Sequence, residues 1–120
     1  MGKIRMTESE LRFAELVWRE EPLSSGQLVR LCQEEFEWKK STTYTVLKNL
    51  CLRGVLQNQN ALVTSRISRE EYLKLQSQGF IEDAFGGSLP GFLTAFMGGR
   101  KLSGREAEEL KQLIDSYKEE

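Results

Sequence analysis

The sequence predicts a mainly α-helical fold with one small β-hairpin. Four motifs mark helix starts, at Thr7, Ser24, Ser68 and Ser103. In each motif the Ser or Thr is followed three residues later by Glu or Gln, which is the pattern of a capping box. Between the second and third motifs the apolar spacing changes from helical to alternating, which indicates two short strands. Two helices joined by a tight turn and followed by a hairpin form a winged helix-turn-helix, and three more helices follow it.

The first predicted helix has a broad apolar face, and the second has apolar residues at helical spacing. The first runs from Thr7 to about Arg19, and its apolar face is wide enough to be covered on more than one side. Pro22 lies in the connection to the second helix. The apolar positions of the two helices are Leu11, Phe13, Ala14, Leu16, Val17, Trp18, Leu28, Leu31, Cys32 and Phe36.

A third helix is predicted within residues 38–54, after a turn at residues 37–40, with Gly54 as the residue just past its end. At about 100° per residue its two faces differ in chemistry. The inward face carries Thr43, Val46, Leu47, Leu50 and Cys51, and the outward face carries Ser41, Thr42, Thr45, Lys48 and Asn49.

The outward face of this third helix indicates a DNA-recognition helix. Ser, Thr and Asn are poor helix formers, so a merely solvated face would normally carry Glu, Lys and Gln instead. Short hydroxyls and amides suit close approach to phosphates and base edges, and threonine methyls can contact thymine methyls. The alternative is a β-prone helix that tertiary packing tolerates.

The predicted hairpin has strands at residues 55–57 and 62–67 and a turn at residues 58–60. An isolated hairpin is only marginally stable, so this wing must pack on the helices. We expect Leu56 and Val63 to make that contact.

Three helical segments follow, separated by Gly86-Gly87 and Gly98-Gly99. Together these segments contain too few residues to form an independent hydrophobic core. This favours a two-fold dimer, in which two copies share a core. The alternative is a monomer in which these helices fold back on the winged helix. The predicted domains are therefore a DNA-binding domain at 1–67 and a dimerisation domain at 68–120. The predicted dimer interface comprises Leu75, Phe80, Phe85, Leu89, Phe92, Phe96, Leu110, Leu113, Ile114 and Tyr117.

Composition excludes several classes of protein. With no histidine, two cysteines and no phosphate-binding loop or nucleophile elbow, the chain is not expected to be an enzyme or to hold a metal or cofactor. Since no apolar stretch reaches 18 residues and the start lacks a secretion signal, we expect a cytoplasmic protein without membrane insertion. The net charge is -1, but residues 1–66 carry +2 and residues 67–120 carry -3. That asymmetry weakly favours a basic DNA-facing half.

The chain resembles the family of bacterial penicillinase and methicillin-resistance repressors and their copper-responsive relatives. The resemblance spans about residues 7–118, and the order and spacing of its motifs make it specific. The motifs are Glu10-Leu11, Val17-Trp18, Trp38, Thr42, Thr45, Leu50, the runs 53–56, 68–72 and 85–89, Phe92-Leu93, Phe96, Leu102-Ser103 and 108–110.

This resemblance implies a homodimeric transcriptional repressor whose third helix enters the major groove of an inverted-repeat operator with TACA and TGTA half-sites. It implies base contacts from Thr42 and Tyr44, with Ser41, Thr45 and Lys48 nearby. A family lysine and arginine are replaced by Ser41 and Tyr44, so we expect a changed base preference.

The resemblance also directs attention to phosphate contacts. Relatives carry basic residues in the wing, whereas residues 57–60 here are uncharged. Phosphate contacts are therefore expected mainly from Lys39, Lys40, Lys48, Arg53 and Arg66. The competing interpretation, which the uncharged wing and the near-neutral charge favour, is a winged-helix module that binds proteins without reading DNA.

In the β-lactam branch of the family, a membrane sensor-transducer triggers cleavage in the fifth helix, which releases DNA. The matching bond here joins Ala95 to Phe96, where relatives have Asn before the Phe. Copper-responsive relatives end in Cys-x-Cys motifs, but this chain has no cysteine after Cys51. The resemblance therefore disfavours metal sensing by that route.

Overall fold

The computed structural model describes residues 4–119 and contains six helices and three short strands there. The helices are α1 (Glu8–Glu20), α2 (Ser25–Phe36), α3 (Lys40–Leu52), α4 (Arg69–Phe85), α5 (Leu89–Met97) and α6 (Gly104–Ser116). The strands are β1 (Leu23–Ser24), β2 (Leu56–Gln59) and β3 (Leu62–Ser65). The predicted fold class, a winged helix-turn-helix followed by three helices, is confirmed.

Side-chain caps begin the first two helices where the sequence predicted them. The Thr7 hydroxyl accepts the Glu10 backbone N–H at 3.1 Å, and the Glu10 carboxylate accepts the Thr7 N–H at 2.9 Å. Ser24 and Gln27 form the same reciprocal pair at 3.0 and 2.8 Å. Each pair satisfies backbone donors that a helix start otherwise leaves without partners.

Helix α3 ends in a Schellman motif built around Gly54. The Val55 N–H donates to the Leu50 carbonyl at 3.0 Å, and the Gly54 N–H donates to the Cys51 carbonyl at 3.1 Å. Gly54 has a φ of 79°, a conformation that glycine adopts without a Cβ clash. The predicted helix end is therefore confirmed, and the chain turns directly into the wing.

The sheet has three strands in the order β1-β3-β2, whereas the sequence predicted only a hairpin. Strand β1 escaped prediction because two residues show no alternation. The wing turn also lies later than predicted: Gln59 pairs with Leu62, and Asn60 and Ala61 form the turn with φ values of 54° and 61°. The predicted turn at 58–60 was therefore wrong by one to two residues, because four polar residues in a row hide the strand end.

One core joins the three N-terminal helices to the sheet. Leu56 and Val63 are fully buried in it, so the predicted anchoring of the wing is confirmed. The remaining core positions come mainly from the predicted apolar faces: Phe13, Ala14, Leu16, Val17, Leu23, Leu28, Cys32, Leu47, Leu50 and Val55.

The chain divides into two compact units, the first ending at Gly79 and the second beginning at Phe80. In the first unit, Tyr72 of α4 is buried with its ring centroid 5.6 Å from that of Trp18. The Gln76 amide donates to the Ile4 carbonyl. The division between domains was predicted at residues 67/68, where a helix start is visible, but these contacts keep the first part of α4 with the winged helix.

The second unit is held together by phenylalanines. The Phe92 ring lies 5.6 Å from that of Phe85, 6.1 Å from that of Phe80 and 5.8 Å from that of Phe96. No residue of α5 or α6 is fully buried.

Within residues 4–119 no helix is both long and apolar enough to cross a membrane.

Candidate nucleic-acid interface

Helix α3 presents the polar face that the sequence predicted. Thr43, Leu47 and Leu50 are buried, and Val46 and Cys51 are half-buried. The outward positions are all exposed: Ser41, Thr42, Tyr44, Thr45, Lys48 and Asn49. A helix anchored on one side by leucines thus holds a row of hydroxyl, phenol, amide and ammonium groups at the surface.

Two contacts orient side chains on this face. The Thr45 hydroxyl donates to the Ser41 carbonyl at 2.9 Å, so its oxygen remains free to accept a further hydrogen bond. The Lys40 ammonium lies 5.9 Å from the centre of the Tyr44 ring, one helical turn on.

Sequence reasoning missed Leu52 on this face. Ser41, Thr45, Lys48 and Leu52 follow one another at helical spacing, and the Leu52 side chain is 76% exposed. The spacing from Lys48 could have revealed it, but a leucine at a helix end is more readily assigned to the core.

The start of α3 carries two lysines and no acidic residue. Lys39 is the N-cap residue and makes no side-chain cap, and the first turn contains no acidic residue. Lys39 and Lys40 are both exposed there. Cations at a helix N-terminus oppose the helix dipole, so their placement favours a nearby anion.

The turn before α3 is fixed by aromatic packing. Glu37 ends α2 in the left-handed conformation with a φ of 58°. The Trp38 ring lies 5.9 Å from Phe13 and 5.1 Å from Phe36, centre to centre. The Arg12 guanidinium lies 4.9 Å above the Phe36 ring. The angle at which α3 leaves the turn is therefore set by the packing of the half-buried Trp38 and Phe36 rings on each other and of Trp38 on the buried Phe13 ring.

The two arginines assigned to phosphate contacts differ in their surroundings. Arg66 is exposed just after β3. Arg53 instead lies against the first turn of α1, with its Nη1 atom 2.8 Å from Glu10 Oε2. The pKa of Glu10 is lowered, chiefly by the hydrogen bond from the Thr7 backbone N–H and further by Arg53.

The wing is exposed at its tip, residues 58–61, and fastened at its base. The Glu21 carboxylate accepts from the Ser65 N–H at 2.8 Å and from its hydroxyl at 2.9 Å. The Trp18 indole N–H donates to the Ile67 carbonyl at 2.9 Å. Across the strands, the Gln57 amide donates to the Thr64 hydroxyl at 3.0 Å. No charged residue occurs from Val55 to Ser65.

The two thiols lie in or against the core. Cys32 is fully buried, and burial raises the pKa of its thiol to about 11. Cys51 is half-buried, and burial raises its pKa as well. In residues 4–119, no three His, Cys, Asp or Glu side chains are grouped so as to hold a metal ion.

Several of the residues assigned to a dimer interface are strongly exposed. Leu113 and Ile114 are each 53% exposed, and Tyr117, at the end of α6, is 82% exposed. Phe80, Leu89 and Phe96 are exposed to a similar degree, while Leu75, Phe85, Phe92 and Leu110 are half-buried. Ala95 and Phe96 lie in the last turn of α5.

An exposed polar α3, a preceding helix joined by a tight turn, and a hairpin wing define a winged helix-turn-helix protein. The chain belongs to the penicillinase repressor family, whose profile matches residues 6–116. It is also similar to the penicillinase repressor of Bacillus licheniformis, with 24% identity over 98% of this chain and 96% of the relative. The resemblance stated from the sequence is therefore confirmed. The family is one of DNA-binding transcriptional repressors rather than enzymes.

Proposed function

We propose that this protein is a homodimeric repressor that binds an inverted-repeat operator in the cytoplasm with α3 in the major groove. The observation that carries the proposal is the outward face of α3, where six polar side chains stand exposed on a helix anchored by buried leucines. The major groove accommodates a helix and presents a distinct pattern of donors and acceptors for each base pair.

The side chains on α3 suit direct reading of bases. Asn49 can bind adenine with two hydrogen bonds, and Lys48 can donate to guanine. Thr42, Thr45 and Ser41 can bond to several bases, and the threonine methyls can contact thymine. Tyr44 adds a phenol that both donates and accepts. The exposed Leu52 offers a further apolar contact for a thymine methyl or a sugar edge.

Phosphate contacts are assigned to cations around this face. Lys39 and Lys40 stand at the positive end of the α3 dipole, where backbone N–H groups also favour an anion. Lys48 is exposed in the second half of α3, and Arg66 is exposed just after β3. Each such contact should contribute about one released counterion to the salt dependence of binding.

The second subunit is assigned to the C-terminal helices. The α6 residues Leu113, Ile114 and Tyr117 form an exposed apolar stripe, which a two-fold partner would cover. Two linked recognition helices bind two half-sites far more tightly than one, because the second binding event is intramolecular.

Relief of repression is assigned to cleavage between Ala95 and Phe96 by a protease system that a membrane sensor-transducer controls. Both residues are exposed near the end of α5, and cleavage there would separate α6 from the rest of the chain. Loss of α6 would dissociate the dimer and so release the operator.

The test is an operator gel shift with Thr42, Tyr44 and Lys48 all replaced by Ala. The variant should lose at least tenfold in operator affinity, since specific base contacts are worth about 1–3 kcal/mol each where bidentate. A matched triple replacement of exposed α2 residues whose side chains take no part in its cap, Arg30, Gln33 and Glu34 to Ala, should bind like the wild type. Unchanged binding by the folded α3 variant would reject α3 as the recognition surface.

A protein-interaction module is the second candidate, and the uncharged wing is the observation that favours it. In that case the wild type should bind an inverted-repeat operator no better than random DNA of equal length. The same gel shift with both DNAs distinguishes the two functions.

A further inference from the structure

The ion pair between Arg53 and Glu10 is less exposed to solvent than the ion pairs that Glu15 and Arg19 of α1 form. The Glu10 side chain is 17% exposed and the Arg53 side chain 38%. By comparison, Arg69–Glu15 is a looser pair at 3.4 Å with side chains 52% and 46% exposed. A partly buried, short pair is less screened by salt and holds its geometry more firmly.

Each end of this pair is fixed to a helix terminus. Glu10 uses its other carboxylate oxygen to accept the Thr7 backbone N–H at 2.9 Å, so the carboxylate is already oriented by the cap of α1. Arg53 is the C-cap residue of α3, and its backbone N–H donates to the Asn49 carbonyl at 3.1 Å. The pair therefore connects the first turn of α1 to the last turn of α3.

The opposite end of α3 is positioned by the aromatic packing of Trp38. Buried leucines set the rotation of α3 about its own axis. Leu50 is the last buried side chain within α3, and the chain is buried again at Val55 and Leu56 after the Schellman turn. Between these two anchors, Arg53 makes a side-chain contact with α1. The Arg53–Glu10 pair therefore acts at the C-terminal end of α3.

We propose that Arg53 is a positioning residue: with Glu10 it fixes the tilt of the recognition helix, and it does not serve as a phosphate contact. This inference rests on the proposed function, because it concerns how α3 is presented to operator DNA. It assigns to Glu10 a role in DNA recognition although Glu10 itself carries the wrong charge to touch DNA.

The two possible roles of Arg53 predict opposite effects of Glu10→Gln. If Arg53 served phosphate, Glu10→Gln would free the guanidinium and remove a negative charge, and binding to every DNA would tighten. If Arg53 positions α3, Glu10→Gln weakens the tie and lowers operator affinity. Glutamine keeps an acceptor oxygen for the Thr7 N–H, so the α1 cap survives the change.

The salt dependence provides a second distinction. A lost phosphate contact reduces the slope of log affinity against log salt by about one and weakens all sequences alike. A tilted helix instead loses base contacts, so that only the operator is bound more weakly and the slope stays as in the wild type.

The experiment measures operator and random-sequence binding by fluorescence anisotropy over a range of KCl concentrations for wild type, Glu10→Gln, Arg53→Gln and the double variant. Each single variant should lose about tenfold in operator affinity, the cost of one misaligned base contact, and the double variant should lose no more. Random-DNA affinity and the salt slope should not change. Arg69→Gln and Glu15→Gln, which break the looser pair, serve as matched controls and should leave both affinities unchanged.

Circular dichroism confirms that each variant is folded at the temperature of the measurement, and Glu10→Gln, the milder change, decides the matter if Arg53→Gln unfolds. Tighter binding by Glu10→Gln, or a reduced salt slope for Arg53→Gln, would overturn the positioning role. A wild type that cannot distinguish operator from random DNA would instead refute the proposed function.

Discussion

Thr43 is a polar residue on the buried side of a helix whose other buried side chains are apolar. Its hydroxyl is fully enclosed beside the Cys32 thiol, a weak hydrogen-bonding group, and lacks a normal hydrogen bond. A buried hydroxyl without a partner costs about 1–3 kcal/mol relative to water. The sequence placed Thr43 correctly on the inward face, but only the packing reveals this cost.

We therefore expect Thr43→Val to raise the free energy of unfolding by about 1 kcal/mol, because valine has nearly the same shape and no hydroxyl. Urea titration measures the change. Thr42→Val, on the exposed face, serves as control and should alter stability by less than about 0.5 kcal/mol. A destabilised Thr43→Val would mean that the thiol is a better partner than its geometry indicates.

Cys32 makes stability depend on alkaline pH. Its thiol has a pKa of about 11 in the folded protein, against an ordinary value of 9.0, because burial disfavours the thiolate. The unfolded chain therefore loses this proton first, and the stabilisation is intact below pH 9 and lost as the pH rises toward 11. The fall should be on the order of 2 kcal/mol.

Urea titrations at pH 8 to 11 measure this effect as the difference between wild type and Cys32→Ala, since other groups titrate equally in both. The alanine variant will be less stable at pH 8 because of the cavity. Its stability should nevertheless decline less steeply above pH 9. Parallel pH curves for the two proteins would show that the buried thiol does not contribute.

At the scale of single elements, the wing shows what a short strand conceals. Four consecutive polar residues, 57–60, gave no alternation from which to find the end of β2. Hydrogen bonding to β3 decides that end, and it extends β2 to Gln59. The neighbouring β1 exists because Leu23 pairs with Val63, a contact between residues that are far apart in the sequence.

The wing turn carries strain at Ala61, whose φ is 61°. A left-handed conformation costs a residue with a Cβ about 1–2 kcal/mol. A glycine avoids that cost, but it lowers the unfolding free energy by about 0.4–1 kcal/mol because the unfolded chain gains conformational entropy. Ala61→Gly should therefore raise the unfolding free energy by about 0.5–1 kcal/mol, as thermal or urea denaturation would show.

Asn60→Gly is the matched control, because Asn60 has a similar φ of 54° but asparagine tolerates that region. Its effect should be smaller than that of Ala61→Gly. An equal gain from both substitutions would indicate that the strain at Ala61 is not specific to alanine.

At the scale of the whole molecule, the second unit is the part that most needs a partner. Its phenylalanines contact one another, yet α5 and α6 contain no fully buried residue. This arrangement fits the predicted dimer, in which a second copy of the chain would cover these apolar side chains. Dimerisation itself stays a prediction.

Truncation after Gly99 removes α6 and should leave a folded winged helix that sediments as a monomer. Operator affinity should then fall to that for a single half-site, because the intramolecular advantage is lost. Sedimentation velocity and the operator gel shift measure the two effects.

A gentler pair of variants tests the same surface in the full chain. Leu113→Asp with Ile114→Asp places two charges on the exposed apolar stripe of α6, and Gln112→Asp places one on its opposite face. Only the first should dissociate the dimer. Should the truncated chain still sediment as a dimer, α6 would not be a main part of the interface.

The sequence alone determined the helices with capped starts, the buried leucines of α3 and its exposed polar face. These depend on local hydrogen bonds and on helical periodicity, which neighbouring residues encode. The tertiary structure alone decided the strand β1, the length of the wing, the attachment of α4 to the first unit through Tyr72 and the pairing of Arg53 with Glu10. Each of these depends on residues brought together from distant parts of the chain, and no local pattern records such contacts.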